Sequence, residues 1–339
     1  MKHSGRVTAG AAALGMMILI LDSKTALQGA SDGLSLCIRT VIPSLFPFFV
    51  LSGILTSTLT GRQFPFLRPL CRLTGIPEGS ESILITGLLG GYPVGAGCIA
   101  AAVKRGQLSR AEGQRMLGFC NNAGPSFLFG IAASLFPSRW MGWTLWGIHI
   151  LSALLVGALI PRTVSTSTMI APSAPASLPA ALRSSLGAIA SVCGWVILFR
   201  VLLAFMDRWI FWALPDGLVV AITGVLELTN GCCALASVEN IGLRFLLCSG
   251  MLAFGGLCVA MQTVSAAEGV SMKYYFPGKL LQTLFSCALS CLVVWFLPGS
   301  NGSPTYTRLL LIPAVILIVF LLFRPKKKKS CSIPAELGV

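Results

Sequence analysis

Charged residues are scarce in this chain. They make up 11% of 339 positions, and only 11 residues are Asp or Glu. Soluble domains average about 25% charged residues, so this composition cannot cover a globular surface with polar side chains. Hydrophobic residues account for 55% of the sequence, and the mean hydropathy is +0.83. The sequence therefore predicts an integral membrane protein whose solvent is lipid, and it excludes a soluble enzyme.

Residue patterns for metal, phosphate and catalytic sites are also missing. The chain has two histidines, and its 12 cysteines form no Cys-x-x-Cys pair. Most cysteines lie in apolar stretches, where a free thiol packs as a small hydrophobe. Residues 87–97 are rich in glycine, but no Lys-Ser/Thr follows, so they are not a P-loop. We therefore expect no metal, no cofactor and no enzymatic activity, and we expect His149 to be a satisfied core histidine.

The net charge of +14 raises the question of a nucleic-acid partner. The basic residues instead lie in loops and in a tail, residues 326–329, that follows an apolar stretch. This distribution is typical of cytoplasmic anchoring and of attraction to anionic lipid. We expect the lipid bilayer as partner, no nucleic acid, and a multi-pass protein of the cell inner (plasma) membrane with both termini cytoplasmic. A homo-oligomer is left open.

The apolar stretches fall into two groups with a segment rich in Pro, Ser, Thr and Ala between them. Such a composition is typical of a flexible linker. The first stretch, residues 7–21, is interpreted as an uncleaved helix, with a signal peptide as the alternative. The predicted organisation is an N-terminal helix and loop (1–35), a first repeat (36–160), a linker (161–183), a second repeat (184–298), and a C-terminal helix with a basic tail (299–339).

The two groups resemble each other in the order of their features. Residues 87–95 in the first group correspond to residues 224–232 in the second. Each segment is followed by small residues, a charged turn and an apolar stretch that is broken in its middle. The breaks are Gly124-Pro125 and Gly255-Gly256. This order indicates an internal repeat.

The distribution of Lys and Arg favours one arrangement of these stretches. If residues 83–103 and 218–238 crossed the membrane, the basic loop 104–115 would lie outside. If both are re-entrant hairpins, more basic residues lie in the cytoplasm, as the positive-inside rule requires. The two halves then have opposite orientations, as in many secondary transporters. We predict an all-α polytopic membrane protein with about eight spanning helices and two re-entrant hairpins, arranged as an inverted repeat.

The predicted hairpin tips, residues 90–93 and 227–230, and the first helix break place polar groups at membrane depth. A capping box, Ser109 to Glu112, starts a helix that leads to Asn121 and Asn122 just before Gly124-Pro125. Their amides need partners, which are either other helices or a ligand. We expect the polar side chains of tips and break to converge near the bilayer midplane. The candidate solute-binding residues are Gly90, Gly91, Tyr92, Pro93, Asn121, Asn122, Glu227, Thr229 and Asn230.

Glu227 has two interpretations. A carboxylate at the second tip is expensive in the membrane, and such charges are functional or paired. Arg200 lies in the preceding stretch, so the two can form a structural pair. In the other interpretation, Glu227 binds a coupling ion or a polar group of a substrate.

Three segments resemble a known family. They are S-L-F-P-F-F at residues 44–49, G-G-Y-P-V-G at 90–95 and F-C-N-N-A-G-P at 119–125. The chain resembles the YlbJ-type sporulation integral membrane proteins, which carry the nucleoside-recognition (Gate) domain found also in nucleoside and ferrous-iron transporters. The resemblance covers residues 44–161 well and implies a polytopic protein connected with spore formation. It marks Gly90, Gly91, Pro93, Gly95, Asn121, Asn122, Gly124 and Pro125.

Three functions of different class compete, and a membrane-embedded enzyme is the weakest of them because the sequence offers no catalytic set. The first is a transporter or permease for a small polar solute, with a nucleoside-like solute as one possibility. The alternative is a non-transporting membrane component that spore-envelope (cortex or coat) assembly requires. Polar groups at two hairpin tips favour the first function, and polar groups that pack dry against one another favour the second.

Overall fold

The computed structural model describes residues 2–59, 62, 64–162 and 176–295. Every regular element in this part of the chain is a helix, which confirms the predicted all-α class. The predicted linker 161–183 is described only at its two ends. The predicted C-terminal helix and basic tail, 299–339, lie outside the described residues.

The helices are numbered in chain order. Short 3-10 or π segments continue several of them, notably the π turn Cys37–Val41 between α2 and α3. The helices are α1 (Lys2–Leu21), α2 (Ser23–Leu36), α3 (Ile42–Leu59), α4 (Arg68–Thr74), α5 (Glu81–Leu89), α6 (Val94–Lys104), α7 (Arg110–Leu117), α8 (Pro125–Phe127), α9 (Arg139–Leu159), α10 (Leu178–Trp209), α11 (Asp216–Leu226), α12 (Leu228–Ala234), α13 (Ile241–Phe254), α14 (Gly256–Ala266) and α15 (Tyr275–Trp295).

Five helical segments among the described residues are long and apolar enough to cross a bilayer. The first is longer than predicted, because a helix capped by the Asp22 carboxylate already begins at Ser23, within the predicted N-terminal region. These five segments do not confirm the predicted number of about eight spanning helices. The five segments are Ser23–Leu59, Arg139–Leu159, Leu178–Trp209, Ile241–Ala266 and Tyr275–Trp295.

Two pairs of short helices occupy the positions of the predicted hairpins. Helices α5 and α6 flank residues 90–93, and α11 and α12 flank Glu227. Each helix has 7 to 11 residues, and 11 residues rise only about 16 Å, roughly half of the hydrocarbon core. Glycines let the two helices of each pair approach closely: a Cβ on Gly95 would lie 3.1 Å from the Gly87 Cα, and one on Gly231 2.3 Å from the Gly224 Cα. Both segments are helical hairpins, and their placement in a bilayer stays a prediction.

Both predicted helix breaks are confirmed. Helix α7 starts at the predicted capping box, in which Ser109 and Glu112 bond each other's backbone N–H. It ends at Leu117, and the chain is not helical again until Pro125. In the second half, Gly255 and Gly256 have φ angles of +83° and +82°, which separate α13 from α14. Each half thus has the order long helix, hairpin, broken helix, long helix, and the inverted repeat stays a prediction.

Candidate functional site

The unwound segment before Pro125 lies in a cleft that glycines create in the first hairpin. A Cβ on Gly87 would lie 2.0 Å from the Cys120 carbonyl oxygen, and one on Gly95 would lie 2.2 Å from the same atom. At the tip, a Cβ on Gly124 would lie 2.8 Å from the Gly91 Cα. These distances leave no room for a side chain. The glycines therefore bring the backbone of the broken helix directly onto the hairpin.

Asn121 connects the first hairpin to the second half of the chain. Its Oδ1 accepts a hydrogen bond from the Ala96 N–H at 3.3 Å, and its Nδ2 donates to the Thr263 hydroxyl at 2.9 Å. The Thr263 hydroxyl also donates to the Val259 carbonyl on α14. Asn121 is completely buried. Its amide is satisfied by protein groups from both halves.

Asn122 lies in a different polar cluster, centred on α15. Its Oδ1 accepts from the Lys279 ammonium at 3.3 Å and from the Gln282 Nε2 at 3.0 Å. Lys279 also donates to the Gln282 Oε1 at 2.9 Å, and its Nζ lies 5.3 Å from the centroid of the Tyr92 ring. Lys279 and Gln282 are fully buried. This cluster joins the first hairpin tip, the first break and α15.

His149 lies at the edge of the same cluster. Its Nε2 accepts a hydrogen bond from the Ala123 N–H at 3.1 Å, and its backbone carbonyl accepts from Gln282. Its Nδ1 is buried without a hydrogen-bond partner among the described residues. The prediction of a core histidine holds for its position and for one ring nitrogen. No group of three or more His, Cys, Asp or Glu in the described part of the chain is placed to hold a metal ion.

Glu227 caps the N-terminus of α12. One carboxylate oxygen accepts from the Thr229 N–H at 3.0 Å, and the other accepts from the N–H and the side-chain amide of Asn230 at 2.6 and 2.7 Å. Glu227 is 1% exposed. The interpretation of Glu227 as a structural partner of Arg200 is wrong, because Arg200 bonds Asp32 at 3.1 Å and Asp207 at 3.2 Å instead. Asp32 on α2 and Asp207 in the last turns of α10 lie next to Arg200. The Glu227 carboxylate instead accepts from backbone N–H groups of its own helix.

A small cavity of about 30 Å³ lies between the two hairpin tips. Gly91 and Tyr92 line it from the first tip, and Glu227 and Thr229 line it from the second. A volume near 30 Å³ suits a water molecule or a bare ion. Of the nine candidate residues, these four meet at one cavity. Asn230 bonds Glu227 beside it, Asn121 and Asn122 bond the partners described above, Gly90 ends α5, and Pro93 lines a second cavity.

The second cavity is larger, about 440 Å³, and half open. It lies between α3, the first hairpin and α10, and hydroxyl groups line it from all three elements. The Thr56 hydroxyl donates to the Thr86 hydroxyl at 3.2 Å across its wall. Polar lining residues of this cavity are Thr56, Ser57, Ser82, Thr86, Arg105, Gln107, Ser184 and Ser185.

Two buried cations have roles that the sequence analysis does not assign. Arg115 donates to carbonyl oxygens at the ends of α4 and α9, among them Thr74, Gly75 and Gly157. Lys279 begins a stripe of buried polar residues along one face of α15, with Gln282, Ser286 and Ser290 at the next helical turns. That i, i+3, i+7, i+11 spacing is visible in the sequence and is the signal that would have identified Lys279.

The chain is similar to a protein of Bacillus subtilis (strain 168) named sporulation integral membrane protein YlbJ. The two are 27% identical, and the matched region covers 82% of this chain and 79% of that protein. The predicted resemblance to the YlbJ-type family is confirmed. Together with the five long apolar helices, this similarity supports an integral membrane protein. No protein-family model and no solved structure matches the chain, and the likeness to Gate domains stays a prediction.

Proposed function

We propose that the protein is a transporter or permease-like protein that moves a small polar solute across the cell inner membrane. The observation that carries this proposal is the half-open cavity of about 440 Å³ beside the first hairpin. Small-molecule sites have volumes of roughly 300–1,000 Å³ and combine apolar walls with a few polar groups. The hydroxyls of α3, α5 and α10 give this cavity that character. A nucleoside-like solute is one candidate for it.

The small cavity between the hairpin tips supports the same proposal. It places the Glu227 carboxylate and the Thr229 residue opposite Gly91 and Tyr92, at the point where both hairpins lose their helical hydrogen bonds. Broken helices that meet at a buried polar site are typical of secondary transporters. In this proposal the larger cavity holds the solute, and the tips form the barrier behind it.

The similarity to a sporulation protein bears on the process that the solute serves. We assign the protein to sporulation on the name of that relative. In the proposed orientation, both termini lie in the cytoplasm. The large cavity, lined also by Arg105 and Gln107, then opens toward the cytoplasm.

A second candidate function has an observation in its favour. Asn121 and Asn122 are fully buried, and protein groups satisfy their amides, as expected of polar residues that pack between helices. Such packing fits a non-transporting membrane component that spore-envelope assembly requires. The cavity beside the first hairpin has no role in this alternative.

A glycine in the cavity wall provides the test. Gly97 lines the large cavity, and no atom lies within 4 Å of an ideal Cβ at this position. Gly97→Leu therefore fills the cavity without a backbone clash. Gly147→Leu is the matched control, because Gly147 on α9 is equally open but lies outside the cavity lining.

The assay is uptake into proteoliposomes of nucleosides, amino acids and ions. We expect the native protein and Gly147→Leu to accumulate at least one solute, and Gly97→Leu to lose that uptake while it keeps its protein level. Spore formation is counted in the same strains. If the native protein moves no solute and Gly97→Leu cells form normal spores, the transport proposal fails in favour of the non-transporting alternative.

A further inference from the structure

Lys279 is a cation buried in a candidate spanning helix without a counter-charge. It is 0% exposed, and no ion pair among the described residues includes it. The groups around its Nζ are the Gln282 Oε1 at 2.9 Å, the Asn122 Oδ1 at 3.3 Å and the Tyr92 ring face at 5.3 Å. The two oxygens accept N–H donors of the ammonium, the ring makes a cation–π contact with it, and all three groups are neutral.

The titratable groups near Lys279 include no Asp or Glu among the described residues. They are Tyr92 on the first tip, Cys120 in the unwound segment and His149 on α9. The His149 Nε2 accepts a backbone N–H and therefore carries no proton of its own. An ammonium removed from water without a carboxylate partner is costly, so such a group readily exchanges its proton.

We propose that Lys279 is the proton-binding site that couples solute movement to a proton gradient. This inference rests on the proposed transport function and names its coupling ion. In the release step, the N–H bond breaks, the proton passes to water, and its electron pair stays on the neutral amine. Protonation from water on the other side of the membrane reverses the step.

Tyr92 transmits the charge of Lys279 to the hairpin tip. Its ring faces the ammonium, and its hydroxyl donates to the Leu252 carbonyl at 3.0 Å, near the end of α13. The same hydroxyl lies 3.1 Å from where a Cβ on Gly255 would stand, so it is packed against the second helix break. The protonated amine attracts the aromatic ring and holds the first tip against that break. The neutral amine does not attract the ring, and the first tip is then released from the second helix break.

Hydrogen–deuterium exchange of the full-length protein in detergent tests this link without any solute. The readout is the exchange of peptides that cover residues 86–97, corrected for the intrinsic pH dependence of amide exchange. Four proteins are compared from mildly acidic to alkaline pH. They are the native chain, Lys279→Met, Gln282→Glu, which places a carboxylate beside the ammonium, and the control Lys273→Met. Lys273 makes a similar contact with the Tyr274 ring at 5.4 Å, but it is exposed.

We expect exchange at the tip of the native chain to rise about thirtyfold as the pH increases, the factor that corresponds to losing a desolvated cation–π contact. Gln282→Glu shifts this rise to higher pH, since an ion pair stabilises the protonated amine. Lys279→Met exchanges fast at every pH, and Lys273→Met behaves as the native chain. A pH response that persists in Lys279→Met, or that is missing from the native chain, overturns the proposal.

Transport measurements separate this inference from the function on which it rests. If uptake occurs and Lys279→Met still accumulates the solute against its gradient when a pH gradient is imposed, transport stands and proton coupling at Lys279 is wrong. If no solute is moved by any protein, the transport function fails, and the coupling proposal falls with it even where the tip responds to pH.

Discussion

Arg115 shows how a single buried residue can fasten several helix ends. Its guanidinium donates to the carbonyl oxygens of Thr74, Gly75, Gly157, Ile160 and Pro161. Carbonyls at helix C-termini lack helical partners and carry partial negative charge. Arginine suits this position because its five donors have a fixed planar geometry. The residue therefore acts as a shared C-terminal cap for α4 and α9.

Replacement of Arg115 by Ala is expected to lower the free energy of unfolding by about 2–4 kcal/mol, because hydrogen bonds to a charged group are lost and buried carbonyls stay unsatisfied. Arg110→Ala is the control, since Arg110 lies on the same helix but is exposed. Thermal unfolding in detergent measures both. Equal midpoints for the two variants would contradict the capping role.

The sequence predicts part of this residue-level arrangement. Asn121, Asn122 and Glu227 stand in strongly apolar surroundings, so their importance is visible without a structure. Lys279 immediately precedes the apolar stretch from Leu280 and therefore resembles a residue at the membrane surface. Only the packing of α15 against α13 and α9, with Tyr92 of the first tip over its Nζ, buries it. The sequence allows an Arg200–Glu227 pair as one of two interpretations of Glu227, and it does not reveal that Asp32 on α2 lies next to Arg200.

The first hairpin tip and both breaks are predictable elements because glycine and proline determine them locally, whereas the second tip at Glu227 contains neither residue. The contact between an element and its neighbour is less visible in the sequence. Nothing in residues 87–97 shows that Gly87 and Gly95 face the Cys120 carbonyl whereas Gly97 faces a cavity. That difference depends on the side of α6 that meets the unwound segment. Because their surroundings differ in this way, Gly95 and Gly97 of α6 are a matched pair for substitution.

Gly95→Ala should destabilise the protein by at least about 2 kcal/mol, since its Cβ would lie 2.2 Å from the Cys120 carbonyl oxygen and the backbone must shift. Gly97→Ala, in the same helix, has open space and should be neutral or stabilising by up to about 1 kcal/mol through helix propensity. Limited proteolysis and thermal unfolding compare the two. Similar loss of stability in both variants would show that the cleft of the first hairpin does not require glycine.

The orientation of the whole molecule in the membrane connects these elements. If α5 and α6 together crossed the bilayer, residues before and after them would lie on opposite sides. Instead, Arg115 after the hairpin bonds the Gly75 carbonyl before it at 3.2 Å, and Arg162 bonds the Arg72 carbonyl at 2.7 Å. These contacts support a hairpin that enters and leaves on one side. The same contacts bring Arg115, Arg162 and Arg72 together on that side of the membrane. An accumulation of arginine agrees with a cytoplasmic location.

Cysteine labelling at two positions distinguishes the re-entrant arrangement from one in which every apolar stretch spans. In a background without accessible native thiols, Gln107→Cys reports the loop after the first hairpin, and Trp212→Cys reports the turn after α10. An impermeant thiol reagent should label Trp212→Cys in intact cells, and Gln107→Cys only after permeabilisation. The reason is that a re-entrant first hairpin keeps residues 104–115 in the cytoplasm and sends the C-terminal end of α10 outside. If every stretch spans, both positions change sides, so labelling of Gln107→Cys in intact cells with a protected Trp212→Cys would refute the inverted repeat.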